Sequence, residues 1–139
     1  MSFKDNFNKP RIIQFPKIQD PKGNLTFLQN PQHVPFEIKR TFWTYDIPGG
    51  EIRGGHAYKS QEEIIIALSG SFDVIVTNLL GKTEKFSLNR SYYGLYLPKL
   101  TWRYMENFST NSLSLHLSSK EFFEEDYVRE FELFKKLSQ

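Results

Sequence analysis

The feature that most limits the fold is the run Arg53-Gly54-Gly55-His56-Ala57-Tyr58-Lys59-Ser60-Gln61-Glu62-Glu63, followed by Ser69-Gly70. His56 and Tyr58 are two residues apart, so on a strand they share one face. Residues 62–68 and 72–77, rich in apolar and β-branched side chains, flank Ser69-Gly70 as the arms of a hairpin. An imidazole and a phenol on one strand face, followed by a tight return, call for an antiparallel sheet. Pro48-Gly49-Gly50 turns the chain before this unit and Leu80-Gly81-Lys82 turns it afterwards.

Further strands are predicted over 11–15, 25–28, 38–46, 83–87, 93–97 and 113–118. Asp20-Pro21-Lys22-Gly23-Asn24 reads as a turn, because proline presets φ and glycine supplies φ > 0. Leu113-Ser114-Leu115-His116-Leu117-Ser118 alternates, so one of its faces is buried. The tail over 121–137 changes period: Phe122, Phe123, Tyr127, Val128, Phe131 and Phe134 recur at helical spacing. Glu124, Glu125 and Asp126 come early and Lys135 and Lys136 late, which suits a helix dipole. The prediction is an all-β fold, a small antiparallel barrel or jelly roll, closed by one C-terminal helix. A flexible N-terminus over 1–10 precedes a single domain over 11–139.

Thirteen Phe, seven Tyr and two Trp favour β structure and rule against a disordered chain. Net charge is +2, without the concentrated basic stripe that nucleic acid demands. There is no cysteine, which excludes disulfides and thiolate chemistry. No apolar run approaches the length of a membrane span, and no secretory leader is visible. The expectation is a soluble cytoplasmic protein.

His56 reads as a general base in a pocket or as a hydrogen-bonded histidine of the wall. Glu63 is placed to face the same cavity and to orient the His56 ring. Of the neighbours Glu62 and Glu63, one must face outward. Tyr58 is a candidate acid or hydrogen-bond donor whose pKa a nearby cation would lower, or else a core tyrosine. Arg103 is either a fixed charge for a developing oxyanion or a surface arginine. Lys22, Arg40 and Arg53 are candidate phosphate ligands. Trp43, Tyr45, Tyr96 and Trp102 could stack on a ring, although aromatics on strands are more often core. His116 points either into the cavity or to solvent.

The spacing resembles small β-barrels of the cupin type. These carry His-x-His-x4-Glu-x6-Gly and, one hairpin later, Pro-x-Gly-x2-His-x3-Asn. Here the positions hold His56, Tyr58, Glu63 and Gly70, then Pro98, Leu100, Arg103 and Asn107. One imidazole of three remains, and a guanidinium in a ligand shell repels a divalent ion. The resemblance therefore implies a cupin-type jelly-roll pocket with no metal.

More specific matches are Asp20-x-Lys22-Gly23-x-Leu25, Pro35-Phe36-x-Ile38-Lys39-Arg40, Arg53-Gly54-x-His56-Ala57 and Leu68-x-Gly70-Ser71. Gly94-Leu95-Tyr96, Trp102 and Asp126-Tyr127-x-Arg129 follow. From about residue 12 to 137 the chain resembles the WxcM-like cupins that are dTDP-4-keto-6-deoxyglucose 3,4-ketoisomerases. That resemblance implies a homodimer exchanging first strands, a dTDP-linked 4-keto-6-deoxyhexose as ligand and no cofactor. It implies His56 as an active-site histidine, with Arg53 and Arg40 near the pyrophosphate. Tyr58 departs from the pattern, which has the catalytic histidine there. Activity then rests on His56 with Tyr58 as donor, on His116 as a substitute, or is absent in a protein that only binds the sugar nucleotide. Arg103 resembles members giving the gluco epimer and Lys22 loosely resembles the galacto group, so the two positions point to opposite products.

Overall fold

The structure, a computed structural model, describes residues 9–138. Most of the predicted flexible N-terminus, residues 1–8, lies outside the described residues. The chain runs through β1 (Arg11–Gln14), β2 (Lys17–Ile18), β3 (Leu25–Thr26), β4 (Arg40–Thr44), β5 (Arg53–Tyr58) and β6 (Glu63–Ser69). It continues through β7 (Phe72–Thr77), β8 (Thr83–Leu88), β9 (Tyr93–Leu97), β10 (Trp102–Glu106) and β11 (Leu113–Ser118). A 3-10 turn (Glu124–Asp126), β12 (Tyr127–Val128) and α1 (Phe131–Lys136) complete it.

Two five-stranded sheets face each other, ordered β1-β9-β6-β11-β4 and β12-β5-β10-β7-β8, as in a jelly roll. Every described strand pair is antiparallel. In this chain β1 pairs with β9 of the same molecule, Ile12 opposite Leu95. Gly70 makes the β6–β7 hairpin possible. Its φ is +69°, and a Cβ there would lie 2.9 Å from the Ser112 Cα.

Strand parity sorts the side chains into three layers. Between the sheets lie Ile65, Ala67, Phe72, Val74, Val76, Leu88, Leu95, Leu97, Met105 and Phe108, all buried. Each large side chain there contributes on the order of 2 kcal/mol by leaving water. The odd-out residues of the same strands build a second core outside the first sheet. There Ile64, Ile66, Tyr96 and Leu117 pack beneath Phe15, Val34 and Phe36. Outside the second sheet, Ala57, Trp102 and Val128 pack against Phe134 of α1.

The predicted C-terminal helix is corrected. Only Phe131–Lys136 is α-helical. Phe123 is extended, the buried Asp126 carboxylate accepts from the Ser60 and Gln61 backbone N–H groups, and Tyr127–Val128 adds an edge strand to β5. Pairing with an open sheet edge overrides the helical period of the aromatic residues. It also sends Tyr127 and Val128 to opposite faces, Val128 to the helix-covered core and Tyr127 towards the barrel interior.

Candidate active site

One end of the barrel interior is polar. β5 and β10 place Arg103 directly across from His56, and β11 places His116 beside Phe42 of β4 and Ile65 of β6. Glu63 enters from the same inner face of β6, because it lies two residues before Ile65. Tyr127 of β12 pairs with Tyr58 of β5. The cluster therefore draws on six strands from both sheets.

Arg103 and Glu63 form its centre. Arg103 Nη1 donates to Glu63 Oε1 at 2.8 Å and Arg103 Nε to the Thr101 carbonyl at 3.2 Å. Both side chains are almost wholly buried. Burial by itself would push the Glu63 carboxyl up, but the His116 and Arg103 charges outweigh it and hold it down at about 2. The cation at the former third-histidine position is thus tied to the carboxylate of the motif. Among the described residues no group of three or more His, Asp or Glu side chains could hold a metal ion.

His56 is half-buried and its Nε2 is enclosed without a hydrogen-bond partner. Burial first, then the Arg103 charge, push its pKa down to about 3, so the ring is neutral at physiological pH. Its edge lies against Tyr58 and Tyr127, with ring centroids 4.8 and 5.2 Å away. The expectation that Glu63 orients this ring is corrected. The Glu63 carboxylate grips Arg103 and lies 3.5 Å from His116 Nδ1. No hydrogen bond joins it to His56, and its charge acts on that ring through space.

Tyr58 is fully buried, and its hydroxyl donates to the Tyr127 hydroxyl at 3.2 Å. The Arg103 guanidinium sits over its ring at 5.0 Å. The expected lowering of its pKa is overturned: burial and then the Glu63 charge raise it, and Arg103 only partly offsets them. His116 points inward. It stacks on Phe42 at 4.4 Å and 8° and shares a 2.9 Å hydrogen bond between Nε2 and Ser114 Oγ. Arg40 reaches the same end, donating from Nη2 to Gln61 Oε1 at 3.2 Å and to the Tyr127 oxygen at 3.4 Å.

His56, Tyr58, Glu63, Arg103, His116 and Arg40 are thus brought together. Lys22, Arg53, Tyr96 and Trp102 are not, and Trp43 and Tyr45 are exposed. Trp102 adjoins Arg103 and faces away from it, packing against Phe131 and Phe134. Tyr96 also faces outward, with its hydroxyl donating to Glu62 at 2.6 Å. It borders an open groove of about 940 Å³ that none of the clustered residues lines. Arg53 is exposed at the start of β5, and Lys22 is exposed in the β2–β3 turn. Sequence reasoning missed Phe42, Gln61 and Tyr127 as members of the site. Parity with Arg40 was a usable signal for Phe42, and the Asp126-Tyr127-x-Arg129 motif was one for Tyr127.

At this end of the barrel His56 Nε2, Gln61 Nε2, Glu63 Oε2, Arg103 Nη2 and Ser118 Oγ are all buried without a hydrogen-bond partner. Buried polar groups are rarely left so in a finished structure. Donors and acceptors left open around a neutral imidazole suit a polar ligand with several oxygens. They can take a proton from carbon and hold the resulting oxyanion against a guanidinium.

Comparison with known proteins agrees with this chemistry. A TDP-4-oxo-6-deoxy-α-D-glucose-3,4-oxoisomerase of Aneurinibacillus thermoaerophilus is 34% identical over 128 residues, covering 91% of this chain and 90% of that protein. The crystal structure of a 3,4-ketoisomerase from Helicobacter canadensis superposes with a TM-score of 0.89 at 34% identity, over 93% of this chain and 96% of that one. The WlaRB TDP-quinovose 3,4-ketoisomerase of Campylobacter jejuni gives 0.86 at 38% identity, over 91% and 97%. The family model described as FdtA, WxcM-like, C-terminal matches residues 8–139, and the chain belongs to that family.

Proposed function

We propose that this protein is a sugar-nucleotide 3,4-ketoisomerase acting on dTDP-4-keto-6-deoxyglucose. The observation that carries the reading is the set of unpartnered buried polar atoms around His56, opposite the fixed guanidinium of Arg103. The keto group at carbon 4 acidifies the hydrogen on carbon 3. His56 Nε2 takes that proton, and charge moves to the carbon 4 oxygen to give an enediolate. Returning a proton to carbon 4, with loss of the hydroxyl proton at carbon 3, leaves the ketone at carbon 3. Protons and electrons balance within the sugar and the site.

Arg103 Nη2 is the donor for the developing oxyanion, since Glu63 and Thr101 already hold its other nitrogens. A prefixed donor needs no reorganisation as charge develops. With its pKa pushed down to about 3 by burial, His56 alone is a weak base. Glu63 favours its charged form, and the negative charges of a nucleoside diphosphate would do the same. Arg40 at the mouth suits a phosphate oxygen, and Arg53 and Lys22 are exposed cations available to the same ligand. A homodimer acting in the cytoplasm and serving deoxysugar assembly completes the reading.

Tyr58, at the place where the family pattern has histidine, favours one alternative: a silent protein that binds a dTDP-sugar without isomerising it. NMR of dTDP-4-keto-6-deoxyglucose with the protein in D2O separates the two. The isomerase incorporates deuterium at carbon 3 and yields a 3-keto species. Unchanged spectra beside tight dTDP binding would leave only the silent reading.

A further inference from the structure

Three hydroxyl and guanidinium groups meet at Tyr127, and their hydrogen bonding has one self-consistent direction. Arg40 has no acceptor, so the Tyr127 oxygen accepts from Arg40 Nη2. Tyr58 is fully buried, and of the two groups at its hydroxyl, Arg40 and Tyr127, only the Tyr127 oxygen can accept its hydrogen. If Tyr127 donated to Tyr58, the Tyr58 hydrogen would be stranded in the interior, a loss of about 1–3 kcal/mol. Tyr58 therefore donates, and the Tyr127 oxygen accepts twice. Its own hydrogen has no acceptor among the described residues and is free at the half-buried mouth, beside His56.

We infer that Tyr127, carried in by the C-terminal tail, is the catalytic proton donor to the sugar oxygens, in place of Tyr58. The inference rests on the ketoisomerase reading above. As His56 removes the carbon 3 proton, charge builds on the carbon 4 oxygen against Arg103; the Tyr127 O–H bond then breaks and its proton goes to that oxygen, so the enediolate passes to the neutral enediol. The Tyr127 oxygen then takes the hydroxyl proton from the carbon 3 oxygen while His56 returns its proton to carbon 4. The carbon-bound proton has travelled through His56 and the oxygen-bound one through Tyr127, and both side chains end as they began. Between the two transfers Tyr58 O–H and Arg40 N–H already point at the oxygen that has given up its hydrogen, which is the preorganised arrangement such a step needs.

The tail is built to hold this position. Tyr127 sits in register with Tyr58. The Asp126 carboxylate before it accepts from Ser60 Oγ at 2.6 Å and from the Ser60 and Gln61 backbone at 2.9 and 3.1 Å. The Arg129 guanidinium after it covers the Tyr127 ring at 4.2 Å and forks onto Glu124 at 2.7 and 2.9 Å.

The test compares Tyr127→Phe with Tyr58→Phe in the full chain, using dTDP-4-keto-6-deoxyglucose. Tyr127→Phe should lower kcat by about a hundredfold, within the range for a lost general acid or base. Its KM should stay within about threefold, and its melting midpoint should fall by only a few degrees, because the ring still packs while the buried Tyr58 hydroxyl loses its acceptor. Tyr58→Phe should lose about tenfold or less, since it removes only one hydrogen bond to Tyr127. Tyr127→Phe with kcat within threefold of the parent, or a larger loss in Tyr58→Phe, would overturn the inference. A parent protein that neither exchanges carbon 3 nor forms product would instead sink the ketoisomerase reading, and this inference with it.

Discussion

The two ends of the barrel interior share strands but obey different rules. β6 contributes Glu63 to one end and Ile65 and Ala67 to the other, and β10 contributes Arg103 and then Met105. At the dry end the clustered side chains of β6, β7, β9 and β10 are apolar and buried, so their cost and gain are those of volume. At the polar end the same backbone carries a buried ion pair, a neutral imidazole and several unpartnered polar atoms. Burying charge there is tolerated because Arg103 and Glu63 neutralise each other, and a buried pair of this kind is weak evidence of stability. The dry end holds the fold, and the polar end holds geometry that only a ligand completes.

The contrast is sharpest at His56. His56→Asn should cut kcat about a thousandfold, as for loss of a general base, and abolish deuterium uptake at carbon 3. It should leave dTDP affinity and thermal stability near the parent values, because the lost nitrogen has no protein partner. Retained turnover would remove His56 as the base. Phe72→Ala should do the reverse, costing about 3–5 kcal/mol of unfolding free energy in a denaturant titration. Activity per folded molecule should hold. A large change in kcat at full occupancy of the folded state would mean that the two ends are mechanically coupled. Glu63→Gln should affect both measurements. It strands the Arg103 charge, costing about 3 kcal/mol, and frees the guanidinium whose position the reaction uses.

Acid should also distinguish the ends. The folded His56 pKa lies near 3, below its ordinary value, so the unfolded chain binds the extra proton first. Its contribution is intact above about pH 6.5 and is lost as pH falls towards 3. Glu63, held near 2, acts in the same direction between about pH 4.5 and 2. Unfolding free energy should be flat from pH 8 to 7 and then fall by up to about 1.4 kcal/mol per pH unit for each group titrating. His56→Asn should flatten the stretch from pH 6.5 to 5. An unchanged slope there would place the titration elsewhere.

Much of this was legible in the sequence because strand parity is simple. His56 with Tyr58 and the alternation around His116 follow from a period of two, whereas Arg103 rests on the cupin-type spacing, because no strand is predicted over β10. The same parity excludes Trp102, which adjoins the inward Arg103, so its place against α1 was readable as well. Tyr96 depends on which face of β9 is inward, which register with β6 decides and composition does not. Tyr127 was hidden by its neighbours. Phe122, Phe123, Tyr127, Val128, Phe131 and Phe134 fit a helix locally, and only the open edge of β5 makes the extended form better. Local period is a statement about one segment; an edge needing a partner is a property of the assembled sheet.

The smallest effect is expected at Leu100, at the position where the cupin pattern has glycine. Its φ is +59°, and its N–H donates to the Tyr58 carbonyl at 2.8 Å, so the strand bearing the site pins it there. A left-handed conformation costs a residue with a Cβ about 1–2 kcal/mol. Glycine avoids that cost but gives back about 0.5–1 kcal/mol through its freer unfolded chain. Leu100→Gly should therefore stabilise by about 0.5 kcal/mol, raising the melting midpoint by roughly 2 °C, with kcat unchanged within twofold. A loss of more than about 1 kcal/mol would show that the leucine side chain is worth more in packing than its backbone costs in strain. The turn beside the polar end would then belong, energetically, with the dry one.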